Sequence, residues 1–379
     1  MNDLVVRALE FLRRLGSYLT VRFRHLLLNY LILRSRGDRN LPVSVQPGNE
    51  PDSGRELPWY SKKAVRALSS YENCSFHRIV NTGSSNPLYN PSILKVSDSN
   101  FMLVATQSNR VMSYRWGRRP KFVTGHAFAS DIVVGTAPGE FLHGAGTVSL
   151  PLQPLSGLSN VAADARLFLG EGRPQILWNQ GFAEAPDKTV ARLFFRNIDN
   201  LGERSATTMM PSPYDLPTEK NWMPVIEKHG KAFRFIHTVS PTVTVSRFDE
   251  GKGDDIQWHS VKGPASLSRD RGGSQLVQLP SGAFLAVTHT TFLFPARHYS
   301  QRLVMFRKLG DGFHVVSHSQ PFVFKNNFDV EFGSGLAFDG DNVLMTFGVR
   351  DLEAWVCKLP MSLALALASE VTVSTADKD

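Results

Sequence analysis

Cysteine is almost absent from this chain. Cys74 and Cys357 are the only two thiols in 379 residues, which excludes a disulfide framework, and neither has the spacing of a structural metal site. Such usage fits a reducing compartment, and the location expected is cytoplasmic. Long apolar runs are missing too. Leu26 to Leu33 is the longest uncharged stretch near the start, far short of the ~20 residues of a spanning helix. No cleavable signal pattern precedes it. Charge of one sign is scarce outside the first residues. The net charge is +8, but residues 1–36 carry seven arginines against Asp3 and Glu10, and the rest of the chain is near +3. That balance excludes a nucleic-acid footprint in the body. No serine sits in a nucleophile elbow and no Cys–His pair is apparent. His289, Arg297 and His298 lack zinc spacing, so no metal and no cofactor is expected. The acidic turn at 249–255 lacks the spacing of a calcium loop and reads as a solvated turn.

What the chain does have is one pattern written five times. A polar start leads an apolar run, then a tight polar turn, then a second apolar run ending in a hydrogen-bonding residue. The copies begin at Asn90 (NPSILKV), Asp164 (DARLFL), Glu219 (EKNWMPVIE), Arg271 (RGGSQLVQL) and Glu331 (EFGSGLAF). The turns are built of Gly, Pro, Asn, Asp and Ser, which supply hairpin backbone angles. The runs are β-branched and aromatic, and too short for helices. Further strand candidates fill the gaps at 191–196, 242–247, 303–307, 313–317 and 354–358. All-strand repeats at this interval point to propeller blades. The fold class expected is all-β: a five-bladed β-propeller with an N-terminal amphipathic helix. Cys74 ahead of the first blade and Cys357 in the last read as two buried thiols, with a second reading in which they lie near one another where the ring closes.

The domain reading follows. Residues 1–36 form a basic amphipathic helix, 37–58 a linker, 59–370 the propeller and 371–379 a disordered tail. Residues 137–160 read as a long loop over one face. The N-terminal helix has three readings: contact with an anionic membrane surface through residues 3–35, a targeting segment, or packing on the propeller.

In a propeller the five polar starts converge on one mouth. Asp164 is the leading acid–base candidate: an isolated carboxylate opening an inner strand, with Arg166 on the same strand face. Its structural alternative is a salt bridge. Lys220, Arg166, Arg110 and Arg271 place several cations near that mouth, a set suited to phosphate. Asn90, Asn221, His237, His289 and Tyr299 are neutral donors and acceptors suited to sugar hydroxyls. Trp222 offers a flat face for a sugar ring. Each alone also reads as a satisfied polar or core aromatic residue. Gly272, Gly273, Gly333 and Gly335 read as sites of close backbone approach.

These residues carry a resemblance. Asn90-Pro-Ser-Ile resembles the first-blade motif of the five-bladed mannoside phosphorylases, glycoside hydrolase family 130. Asp164-Ala-Arg-Leu-Phe is similar to that family's Glu-Asp-Pro-Arg motif, whose Asp is the proton donor. Here Ala163 and Ala165 replace the acidic residue and the proline. Glu219-Lys-Asn-Trp-Met-Pro-Val resembles the strand motif whose lysine helps hold phosphate. The mannosyltransferase/phosphorylases of trypanosomatid parasites (glycosyltransferase family 108) share the layout. Arg271-Gly-Gly-Ser, His289 with Tyr299, and Glu331 through Asp351 look closer to a bacterial branch that accompanies glycosyltransferases.

The resemblance implies an enzyme moving a mannose-like hexose between a phosphate-bearing donor and a glycan acceptor. Asp164 would be catalytic, and Arg166 and Lys220 would hold the phosphate. Two alternatives stand beside it. One is a glycoside hydrolase drawing a second carboxylate from Glu331 or Asp351. The other is a non-catalytic glycan-binding propeller.

Overall fold

In the computed structural model, residues 65–373 are described, with breaks at 110–111, 114–120, 123–129, 143–145, 157, 159–161, 171, 186–187, 199–205, 212–215, 217, 228–231, 250–255, 293–296 and 326–328. The N-terminal helix, the linker, Arg110, nearly all of the acidic turn and residues 374–379 lie outside the described residues. Among those described, no helix is long and apolar enough to cross a membrane.

The chain is overwhelmingly β, and all five hairpins form. Leu88–Ser97 pairs with Asn100–Ser108, Ala162–Gly170 with Arg173–Ala185, and Met223–Ile226 with Ala232–Thr238. Leu276–Gln278 pairs with Phe284–Phe292, and Glu331–Asp339 with Asn342–Val349. Gly172 and Gly340 hold left-handed φ of 76° and 55° in two of the turns, angles that a residue with a Cβ adopts only under strain.

Each hairpin grows outward into an antiparallel unit. Ser130–Pro138 extends the first, Lys188–Asn197 the second, and Thr242–Asp249 then Gln257–Lys262 the third. His298–Leu309 and Gly312–His318 extend the fourth, and Glu353–Pro360 the fifth.

The fourth strand of the fifth unit comes from the other end of the chain. Ser75–Asn81 pairs antiparallel with Glu353–Pro360, Phe76 opposite Cys357. The loop expected over residues 137–160 carries more order than its composition suggests: Thr147–Leu150 adds in parallel to Ser75–Asn81. The apolar run near the end forms a helix, Met361–Ala368. Val371–Thr372 then pairs with Ser317 and His318, so the tail expected from 371 is ordered through its first two residues.

The opening strands of the five units meet one another. That of the first packs on those of the second and fifth, and that of the third runs parallel to that of the fourth, Val225 opposite Leu276. Polar side chains tie them across the middle. Buried Gln275 of the fourth unit donates to the carbonyls of Ile93 (2.6 Å) and Leu336 (2.8 Å), in the first and fifth units. Ser334 donates to the Pro91 carbonyl at 2.6 Å. Opening strands covered on both faces must satisfy every polar group internally.

Small residues make the approach possible. A Cβ on Gly272 would sit 2.0 Å from the Asn221 carbonyl oxygen, and one on Gly335 2.8 Å from the Ile93 nitrogen. A Cβ on Gly273 would sit 2.6 Å from the Val287 carbonyl oxygen, whereas one on Gly333 would meet side chains, Val287 first at 2.8 Å, so the expected backbone approach holds at Gly272, Gly273 and Gly335.

Aromatic side chains fill the space between units. Phe168, Trp178, Phe195, Phe233 and Phe235 join the second and third. Phe324 and Phe347 stack with centroids 4.0 Å apart against the fifth. Rings of this size, burying ~150–250 Å² each, dominate the core.

Candidate functional site

Three polar starts share a backbone signature. Asn90, Asp164 and Asn221 all have left-handed φ, at 48°, 53° and 64°. Each precedes or opens the inner strand of its unit. The ladder slips between Tyr89 and Ser92 and between Ala163 and Arg166. Such bulges re-aim a side chain out of the pleat, and strained non-glycine residues concentrate at functional sites.

The bulges bring Asn90 and Asp164 together. Asn90 Nδ2 donates to Asp164 Oδ1 at 2.7 Å, and Asn179 Nδ2 donates to Oδ2 at 3.2 Å. The Asp164 N–H donates to Thr106 Oγ1 at 3.1 Å. The half-buried carboxylate is thus gripped by two neutral amides. Asn179 and Thr106 were not singled out in the sequence. Each stands one residue before the hydrogen-bonding residue, Gln107 or Gln180, that ends the second run of its copy.

Arg166 departs from expectation. The bulge breaks the two-residue alternation, and the side chain turns into the interior, 2% exposed. Nε donates to the Gly273 carbonyl at 2.5 Å, and Nη1 to the carbonyls of Asp164 and Ala165 at 3.0 Å each. It binds the main chain of Asp164 and not its carboxylate. Its guanidinium lies 5.0 Å from the Phe332 ring centroid. Burial pulls its pKa down to about 10, against the opposing pull of Asp164, so it stays cationic at neutral pH.

His289 marks the centre of the cationic group. It is buried, and its ring stands 4.8 Å from Phe332 and 5.2 Å from Tyr299. Burial, then the charges of Arg271, Arg166 and Lys220, hold its pKa down to about 3. The imidazole is neutral, and three cations lie within electrostatic reach of it. Lys220 and Arg271 are both exposed, so their charges remain open to a ligand.

Tyr299 connects this group to the carboxylates. Burial raises the phenol's pKa, and the charges of Asp351 and Asp164 raise it further while Arg297 opposes them. Arg297 Nη2 donates to the hydroxyl at 2.5 Å. Asp351 has a left-handed φ of 54°. Arg271, Arg166 and Lys220 thus act on His289, and Asp351 and Asp164 act on Tyr299, whose ring is 5.2 Å from that of His289.

Three expected site residues do other work. Trp222 is 1% exposed and presents no face to a ligand. Its Nε1 donates to Glu219 Oε2 at 3.0 Å, and its ring meets His237 at 4.9 Å and Trp258 at 5.8 Å. His237 Nε2 lies 3.0 Å from the same Glu219 oxygen, so His237 pairs with a buried carboxylate. Glu331, 1% exposed, accepts the Phe324 N–H at 2.6 Å and the Lys325 N–H at 2.9 Å. Apolar placement decides all three. A buried charge must be paired, and Glu219 and Glu331 are paired within the protein. Among the described residues no cluster of His, Cys, Asp or Glu could hold a metal.

No family model matches the chain, and no curated protein sequence does. Solved structures are similar at low identity. A β-1,2-mannobiose phosphorylase from Listeria innocua is 12% identical over 82% of this chain and 98% of its own, with a TM-score of 0.49. MPT-1, a GDP-Man-dependent mannosyltransferase from Leishmania mexicana, is 10% identical over 76% and 88%, at 0.48. A putative glycosidase from Bacteroides thetaiotaomicron is 13% identical over 73% and 87%, at 0.49.

Proposed function

We propose that this chain is a five-bladed β-propeller enzyme that transfers a mannose-like hexose between a phosphate-bearing donor and a glycan acceptor. The propeller reading is supported by five antiparallel units whose opening strands meet, and by an N-terminal strand that completes the last unit.

The observation that carries the reaction is a carboxylate held by two amides, next to a neutral histidine that feels three cations. Asp164 is gripped by Asn90 and Asn179 and is linked to the cationic group through Arg166 and Tyr299. In transfer, the Asp164 carboxylate takes the proton of the acceptor hydroxyl as the glycosidic bond forms. In the reverse direction it returns that proton to the bridging oxygen, directly or through a sugar hydroxyl. Lys220 and Arg271 hold the phosphate of the donor or product. Arg166 is bound to carbonyls and adds its field. His289 adds a hydrogen-bonding group without adding charge, and Asn221 and Tyr299 complete the polar lining.

The hydrolase reading is weakened at one point. Both oxygens of Glu331 accept main-chain N–H groups, which leaves Asp351 as its candidate second carboxylate.

The test is to incubate the protein with mannose 1-phosphate or GDP-mannose and short mannosides, with and without phosphate. Product is expected only with a phosphorylated donor, and is lost in Asp164→Asn. Cleavage by water alone supports the hydrolase. Binding without turnover, unchanged in Asp164→Asn, supports a glycan-binding propeller.

A further inference from the structure

The two cysteines meet at the seam where the two ends of the described chain join. A buried residue touches roughly ten others, so two residues drawn at random from a chain of this length meet in roughly three cases of a hundred. Cys74 and Cys357 are that case. Ser75–Asn81 lies along Glu353–Pro360 with Ser75 opposite Lys358 and Phe76 opposite Cys357. Cys74, just ahead of this strand, packs on the apolar cluster that contains Cys357. Cys74 lies two residues before Phe76, on the same face of the strand, so it stands diagonally across the ladder from Cys357. Both are free thiols here, Cys74 half-buried and Cys357 buried.

We propose that Cys74 and Cys357 form a reversible disulfide that staples the N-terminal strand to the fifth unit when a low-molecular-weight disulfide is in excess. The inference is independent of the sugar-transfer reading.

The chemistry divides between the two residues. The neighbouring Cys357 side chain lowers the Cys74 pKa, and burial raises that of Cys357. The more exposed sulfur with more thiolate character attacks first. Cys74 gives up its proton and bonds to one sulfur of the small disulfide, and the other sulfur leaves as a thiol. Cys357 then attacks the Cys74 sulfur of the mixed disulfide. Its proton goes to the second departing small thiol. Two protein thiols and one small disulfide become one protein disulfide and two small thiols. An excess of small thiol reverses each step.

The staple would close a loop spanning nearly the whole described chain. Loops of that length lose the most unfolded-state freedom when cross-linked. The strand it ties down has no other covalent link to the fifth unit except through the length of the chain.

The experiment equilibrates the full chain with oxidised glutathione, then with excess reduced glutathione. The expected result is loss of two hydrogens from the intact mass, with a Cys74–Cys357 cross-linked peptide after digestion. Tm should rise by about 5 °C or more in the oxidised form and return on reduction. Cys74→Ser, which leaves the buried thiol in place, should lose both effects, as should Cys357→Ala where it folds. A glutathione adduct that stays on Cys74, an unchanged mass, or a bond that leaves Tm unmoved would each overturn the proposal.

Discussion

Asp164 and Glu331 occupy the same place in the repeated pattern, yet the protein uses them differently. Each is a carboxylate at the head of an inner strand. Glu331 is buried, and both its oxygens accept main-chain N–H groups from Phe324 and Lys325. Asp164 is half-buried, strained to a left-handed φ, and held, among the described residues, by side-chain amides. A carboxylate consumed by the main chain fastens the fold. A carboxylate held by side-chain amides remains available for chemistry. Position in a repeat therefore offers a role, and the partner set decides it.

Four measurements would break or sharpen that contrast. The largest effect is expected at Asp164. Asp164→Asn should lower transfer by about 10²–10⁴-fold, the usual contribution of a general acid–base group, while Tm stays close to that of the parent. A variant that kept its rate would remove the distinction at once. Glu331→Gln should behave in the opposite way. Losing charge-assisted bonds to two buried N–H groups should cost about 2–3 kcal/mol in urea unfolding, with the turnover of the folded fraction nearly intact.

Lys220→Ala comes next. An exposed cation on the donor's phosphate should raise the donor KM by roughly 10-fold, with kcat changed less, and the defect should shrink as salt rises. Equal loss of kcat and kcat/KM would instead place Lys220 in the transition state alone.

The last effect is a pH dependence of stability, spread over several pH units. Burial and three cations depress the His289 pKa from 6.5 to about 3. Below pH 6.5 the unfolded chain takes up a proton that the folded chain refuses. Stability therefore falls as pH drops from 6.5 towards 3, by about 1 kcal/mol per unit from this group. His289→Asn should flatten that part of the curve relative to the parent. Parallel curves would mean that the ring is not held neutral.

Much of the fold was legible. Apolar runs bounded by Gly, Pro, Asn and Asp located all five hairpins, because strand length and turn chemistry are local properties. The pairing of Ser75–Asn81 with Glu353–Pro360 left no mark in either segment; only the expected closure of a ring brought Cys74 towards Cys357. The same limit applied to the site. Asp164, Lys220, His289 and Tyr299 were legible as polar heads and ends of runs. Asn179 was not, because its amide matters only through where Asp164 points. Arg166 was misplaced by one bulge: a single extra residue in a ladder turns the following side chain to the opposite face. Trp222 read as a ligand face because indoles stack on sugars, but its N–H found Glu219 three residues away and its ring found the core.

The order of residues alone determined that this chain would be strands, how many hairpins it would make, and which acids, amides and bases would stand at their ends. Contacts between distant segments decided which carboxylate was spent on the backbone and which was held by side-chain amides. The physical reason is range. Turn angles and hydrophobic alternation act over a few residues, whereas burial, charge pairing and strand register are set by neighbours that sequence distance does not reveal.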